Sequence, residues 1–132
     1  MSMKAQSSFK LTEANEIPYS EVGEGSKLTR GYFEVEYNGE LQGKGDLQEL
    51  KCYLPDDSAT VYGFERITGR IGDKSGSFVL EHVGKFENGL LKSKRNVVQG
   101  SGTGELTGIV GEINFESGSA EEFQITFNYY FE

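Results

Sequence analysis

Seven polar residues share the strand parity that this 132-residue chain otherwise fills with Phe, Ile, Leu and Val: Glu13, Asn15, Tyr37, Cys52, Glu65, His82 and Tyr129. A buried carboxylate is costly unless it is paired or protonated. Two carboxylates and a histidine on inward positions therefore point to a hydrogen-bonded cluster, and to a ligand site with a general acid or base. Glu65 and His82 are the catalytic candidates. Glu65, or Glu13, would stabilise developing positive charge, Asn15 would orient a water, and His82 would exchange a proton. The structural alternative is a satisfied polar core that fixes strand register.

Other chemistries are excluded by residue type. One His and one Cys cannot supply a three- or four-ligand zinc site, and no metal or other cofactor is expected. No Gly-x-Ser-x-Gly elbow opens a helix, so His82 has no triad to join. Gly100-Ser101-Gly102-Thr103-Gly104 lacks the Lys-Ser/Thr pair of a phosphate loop and leads into a strand. Acidic residues show no EF-hand spacing. Cys52 has no basic neighbour on its own face, so a small buried hydrophobe is its expected role.

The elements that must position these groups are strands. Turn signals recur at Asn38-Gly39, Pro55–Ser58, Gly72–Gly76, Asn88-Gly89, Gln99–Gly102 and Ser117–Ser119. With a strand over residues 6–16 they give eight antiparallel strands in a single domain spanning residues 1–132. Pro18 to Lys27 is the one long connection expected. Alternation places Phe33, Val35 and Tyr37 on one face, as it does Val61, Glu65, Ile67 and Ile71, then Phe78, Leu80, His82 and Phe86, and finally Phe123 to Phe131 at every second position. On the first strand Phe9, Leu11, Glu13, Asn15 and Ile17 share the apolar parity. The third strand changes phase between Leu47 and Leu50-x-Cys52-x-Leu54, which predicts a β-bulge near Gln48-Glu49. Lys92, Lys94 and Arg95 read as a solvated face. Such strands form a sandwich or a closed barrel; closure removes exposed edges, and glycines at Gly31, Gly43, Gly63, Gly69 and Gly84 suit a small barrel.

Glycine is abundant at 18 residues and proline scarce at 2, consistent with many tight turns. The net charge of −8 argues against a nucleic-acid partner, which needs clustered Lys and Arg. No apolar run approaches a membrane span or a signal peptide, so a reducing cytoplasm is the expected location.

Gly76–His82, Val97–Gly108, Gly63–Arg66 and Lys27–Arg30 together resemble a bacterial family of unknown function over nearly the whole chain. That resemblance implies an allene oxide cyclase-like, eight-stranded up-and-down barrel, and favours the barrel over the sandwich. Glu13-Ala14-Asn15-Glu16 is similar to the Glu-x-Asn-Glu motif of plant allene oxide cyclases, and Cys52 stands in a place comparable to their cysteine. The likeness implies that these groups hold a water and bind substrate in the barrel.

The function expected is binding of a small lipophilic molecule inside the barrel by Glu13, Asn15, Tyr37, Cys52, Glu65, His82 and Tyr129. The alternatives are an isomerase or cyclase acting on a lipophilic substrate, and a purely structural oligomeric module. Tyr32, Tyr62, Phe64 and Tyr130 on outer faces are the surface through which a homo-oligomer would form.

Overall fold

Alternation of apolar and polar residues yields nine strands and no helix among residues 2–132, which the computed structural model describes. They are β1 (Met3–Gly23), β2 (Ser26–Gly39), β3 (Leu41–Tyr53), β4 (Ala59–Ile71), β5 (Lys74–Glu87), β6 (Leu90–Val97), β7 (Thr103–Gly104), β8 (Ile109–Ser117) and β9 (Phe123–Phe131). Eight of them are the staves of a closed antiparallel barrel. β1 to β6 pair in chain order, β6 pairs with β8, β8 with β9, and β9 returns to β1. The two-residue β7 is an extra, paired with the first turn-proximal residues of β5. The fold expected from sequence, an eight-stranded up-and-down barrel, is the fold found.

Two of the turns show why the chain reverses where it does. Asn88 and Gly89 both have positive φ (54° and 77°), the requirement of a two-residue hairpin. Glu24 and Gly25 do the same (54° and 84°), and here the sequence misleads. The strand expected at 6–16 runs on to Gly23, and the expected long connection from Pro18 to Lys27 is instead paired with β2, ending in Gly23 opposite Ser26. A glutamate at the first left-handed position is a weak turn signal, and Pro18 reads as a strand breaker.

The two ends of the barrel differ. At the lower end, where β1 begins and β9 stops, the segment 98–108 folds across and seats Leu106 in the core, 1% exposed, with Leu41, Ile71 and Ile109. Glu105 N–H donates to Ser75 O (2.9 Å), and Glu132 N–H to Gly108 O (2.9 Å), fixing this plug. Above it the core is aromatic: Phe78 stacks on Phe127, and Phe9 meets Tyr37, Phe115 and Phe123. The upper end carries the hairpin turns at 24–25, 54–58, 88–89 and 118–122 and has no plug. There β9 pairs only with Met3–Phe9, so from Lys10 upward β1 is bonded to β2 alone and its other edge is free.

The predicted bulge is misplaced. β3 keeps unbroken register with both β2 and β4 through Gln48 and Glu49. The irregularities lie on β1, where Thr12, Tyr19 and Val22 are each an extra residue against β2. Both facts reverse faces predicted from sequence, with consequences for the site.

Candidate functional site

On the side formed by β3, β4, β5 and β6, inward residues line up in cross-strand rows. The uppermost row is Tyr53, Ala59, Phe86 and Leu91. Beneath it lie Lys51, Val61, Gly84 and Ser93; then Glu49, Gly63, His82 and Arg95; then Leu47, Glu65, Leu80 and Val97. Glycine in the second and third rows leaves space that side chains fill on other staves. The result is a cavity of about 190 Å³ opening at the upper end, walled by Ala59, Val61, Phe86 and Leu91 and by Lys51 and Tyr53, with Glu49 at its base. It is smaller than the ~300–1,000 Å³ usual for drug-sized ligands.

Below the cavity three of the predicted residues come together. Tyr37 Oη donates to Glu65 Oε2 at 2.5 Å, and His82 Nε2 lies 2.8 Å from Glu65 Oε1. Glu65 is fully buried, and His82 and Tyr37 are each 1% exposed. Burial alone would push the Glu65 carboxyl up. The hydrogen bond and charge of His82, the charge of Arg95 and the Tyr37 hydroxyl outweigh it, so Glu65 is held below its ordinary value and is ionised. Burial and the Glu65 charge push the Tyr37 phenol well up, so Tyr37 stays a donor. An ionised Glu65 fixes the proton of His82 on Nε2. Nδ1, the other ring nitrogen, is buried with no hydrogen-bond partner. Gly45 makes this possible on β3: a methyl group there would overlap the Glu65 carboxylate.

Arg95 stands beside His82 in the same row and is 5% exposed. Its guanidinium lies over the rings of Phe115 (4.9 Å) and Phe9 (5.2 Å), and its Nε donates to Ser93 Oγ at 3.4 Å. Glu49, at the cavity base, is raised from its ordinary value by burial, which Lys51, His82 and Arg95 offset only in part. At the rim Glu16 accepts hydrogen bonds from Tyr53 (2.6 Å), Thr29 (2.8 Å) and Lys51 (3.1 Å), and these lower its carboxyl against the opposing effect of burial. The cavity thus has apolar walls on one side and, on the other, a charged rim above the buried carboxyl of Glu49.

The other predicted residues lie elsewhere. Thr12 shifts the phase of β1, so Glu13 and Asn15 point outward opposite Glu34 and Tyr32, and Glu16 takes the inward place. With β3 in unbroken register, Leu50 and Cys52 face out, Cys52 between Leu28 and Thr60, while Glu49 and Lys51 face in; Leu54 lies just past the end of β3 and is exposed. Tyr129 is inward but at the lower end, stacked on Phe127 at 5.3 Å. Lys92, Lys94 and Arg95 do not form the single solvated face expected of them: Lys92 and Lys94 are exposed, but Arg95 has the opposite parity to Lys94 and is buried. The signal for it was available in the inward parity of Ser93, Arg95 and Val97. Of the outer aromatics, Tyr62 and Phe64 touch edge to face at 5.6 Å and adjoin Leu50 and Val83. Tyr32 lies two strands away on β2. Tyr130 is on β9, four strands from β4 in either direction, so the four aromatics do not form one patch. Among the described residues no three His, Cys, Asp or Glu side chains converge as a metal site.

Fold and site together define a small closed β-barrel with a plugged lower end, an open upper cavity and a buried Tyr–Glu–His–Arg cluster between them. The chain belongs to DUF3224, a family of proteins of unknown function, which matches residues 5–129. A crystal structure of a DUF3224 protein of unknown function from Shewanella oneidensis MR-1 is similar along its whole length, with 26% identity, a TM-score of 0.81, and 100% of this chain and 99% of that chain covered. No functionally curated protein matches the sequence.

Proposed function

We propose that the upper cavity binds a small molecule with one apolar side. The observation that supports this most is the pairing of an open cavity with a buried, unpartnered His82 Nδ1 in the row at its floor. Buried polar atoms in native proteins are nearly always bonded, so an orphan beside a cavity marks a place for a further group. Ala59, Val61, Phe86 and Leu91 would take the apolar part, and Lys51, Tyr53 and Glu49 the polar part. A thermal-shift and NMR screen of lipophilic acids, amides and alcohols tests this. Leu91→Trp, at the rim, should fill the cavity and abolish binding without loss of the fold. A wild-type protein that binds nothing in the screen would sink the reading.

A cyclase or isomerase role is a narrower form of the same proposal. Glu65 is not its reacting carboxylate, because both oxygens are committed to Tyr37 and His82 and none of the residue is exposed. It is better placed to position His82, leaving His82 Nδ1 to exchange a proton. The Glu13–Glu16 and Cys52 likeness to allene oxide cyclases lends little support, since Glu13, Asn15 and Cys52 face away from the cavity. Self-association has a separate basis in the exposed Leu50, Tyr62, Phe64 and Val83, 41–51% accessible and contiguous on β3–β5. If Tyr62→Glu leaves the sedimentation coefficient unaltered, that face is not an interface.

A further inference from the structure

Arg95 is a buried cation without a counter-ion. It is 5% exposed, and among the described residues no carboxylate lies within ion-pairing distance of its guanidinium. The nearest acid below it, Glu65, feels its charge but has given both oxygens to Tyr37 and His82. The acid beside it on the row, Glu49, is pushed by burial toward its neutral form. Of the five guanidinium N–H groups, Nε meets Ser93 Oγ at 3.4 Å, and the remainder lean only on the Tyr37 hydroxyl. Two phenyl faces hold the plane, and neither supplies an anion. Burying a cation in this way is expensive unless an anion joins it. His82 is its direct cross-strand neighbour, and its Nδ1 also lacks a partner.

We propose that the ligand of the upper cavity is a small carboxylic acid that enters head first. Its carboxylate is held by the Arg95 guanidinium and by His82 Nδ1–H, and its apolar tail lies against Val61, Phe86 and Leu91. This rests on the binding reading above and specifies its chemistry. A planar guanidinium is matched to a carboxylate through paired N–H···O bonds. His82 would then stand between two carboxylates, Glu65 on Nε2 and the ligand on Nδ1, and Arg95 would gain the anion it lacks. The size of the cavity, about 190 Å³, suits a short acid and not a long-chain lipid.

The test uses the intact protein and three probes of matched shape: hexanoate, hexanamide and 1-hexanol, titrated by NMR at pH 7. Hexanoate should bind at least tenfold more tightly than either neutral probe. Because His82 is the only histidine, its ring nitrogens are assigned without ambiguity. Hexanoate should shift its Nδ1 resonance, and hexanamide should not. Arg95→Gln should cut the preference for hexanoate over hexanamide from at least tenfold to near unity. Should that variant not fold, the wild-type ratio and the His82 signature decide alone. Equal affinity for the three probes, or an unshifted Nδ1 in the hexanoate complex, overturns the acid assignment and leaves cavity binding standing. Binding of none of them overturns the assignment and counts against the cavity reading as well.

Discussion

The lower and upper halves of the barrel are made from the same strands and solve opposite problems. Below Glu65 the interior is Phe78, Phe127, Leu41, Ile67, Ile71, Ile109 and Leu106, dry and stacked, with a plug over the end. Above it the same staves turn inward Glu49, Lys51, His82 and Arg95, all costly to remove from water, around an unfilled space. A chain selected only for folding gains nothing from the upper arrangement. The contrast assigns stability to the lower half and is the ground on which binding is proposed for the upper half.

This division can be broken most directly from below. Phe78→Ala removes a ring stacked on Phe127 at 5.6 Å and leaves a cavity with no means of refilling, so urea denaturation should show a loss of about 3–5 kcal/mol. Gly45→Ala tests the boundary. Its methyl must displace the Glu65 carboxylate, and the expected loss is about 1–3 kcal/mol by the same measurement.

The pH dependence separates the two carboxylates. Glu65 is depressed in the folded state, so its contribution is present above the unfolded value of about 4.5 and is lost as pH falls through the lower folded value. Melting temperature should therefore drop below about pH 4.5, and Glu65→Gln should flatten that limb while lowering stability at pH 7. Glu49 has the opposite sign. Its carboxyl is raised, so ionising it costs stability at neutral pH and the cost fades on acidification. Glu49→Gln should raise the melting temperature at pH 7, by less at pH 5, as befits a residue kept for a purpose other than folding. A lowered melting temperature for Glu49→Gln at pH 7 would place Glu49 on the structural side of the comparison. The smallest effect belongs to the outer face: Cys52→Ser should alter stability by no more than about 0.5 kcal/mol and leave ligand binding untouched.

The lower half was the legible one. Phe33-x-Val35-x-Tyr37, Ile67-x-x-x-Ile71, Phe78-x-Leu80 and Phe123 to Phe131 declare their inward face by alternation alone, and closure into a barrel follows from eight such strands. Tyr37, Glu65 and His82 could be read as a cluster because each interrupts an otherwise apolar face. The upper half resists the same reading for a physical reason. Its inside is polar and part of its outside is apolar, so the rule that apolar faces point inward selects the wrong parity for Glu49, Lys51 and Cys52. On β1 the extra Thr12 exchanges the faces of Glu13, Asn15 and Glu16, and no local feature of the sequence marks a bulge there. Arg95 was hidden by its neighbours: beside two exposed lysines, a buried arginine has the same composition as a solvated one.

The free edge of β1 has its own consequence, for how the protein behaves in a crowd. From Lys10 upward one side of this strand offers backbone donors and acceptors to any passing extended chain, and Leu11, Ile17, Tyr19 and Val22 lie exposed along it. An edge of that kind ordinarily seeds sheet-to-sheet aggregation. Here three bulges interrupt the register at Thr12, Tyr19 and Val22, Pro18 carries no N–H, and Glu13, Glu16 and Glu21 make the strand acidic. No uninterrupted stretch of it is long and flat enough to template a neighbour. The irregularity that obscured the sequence of β1 also makes its open edge a poor template for another strand.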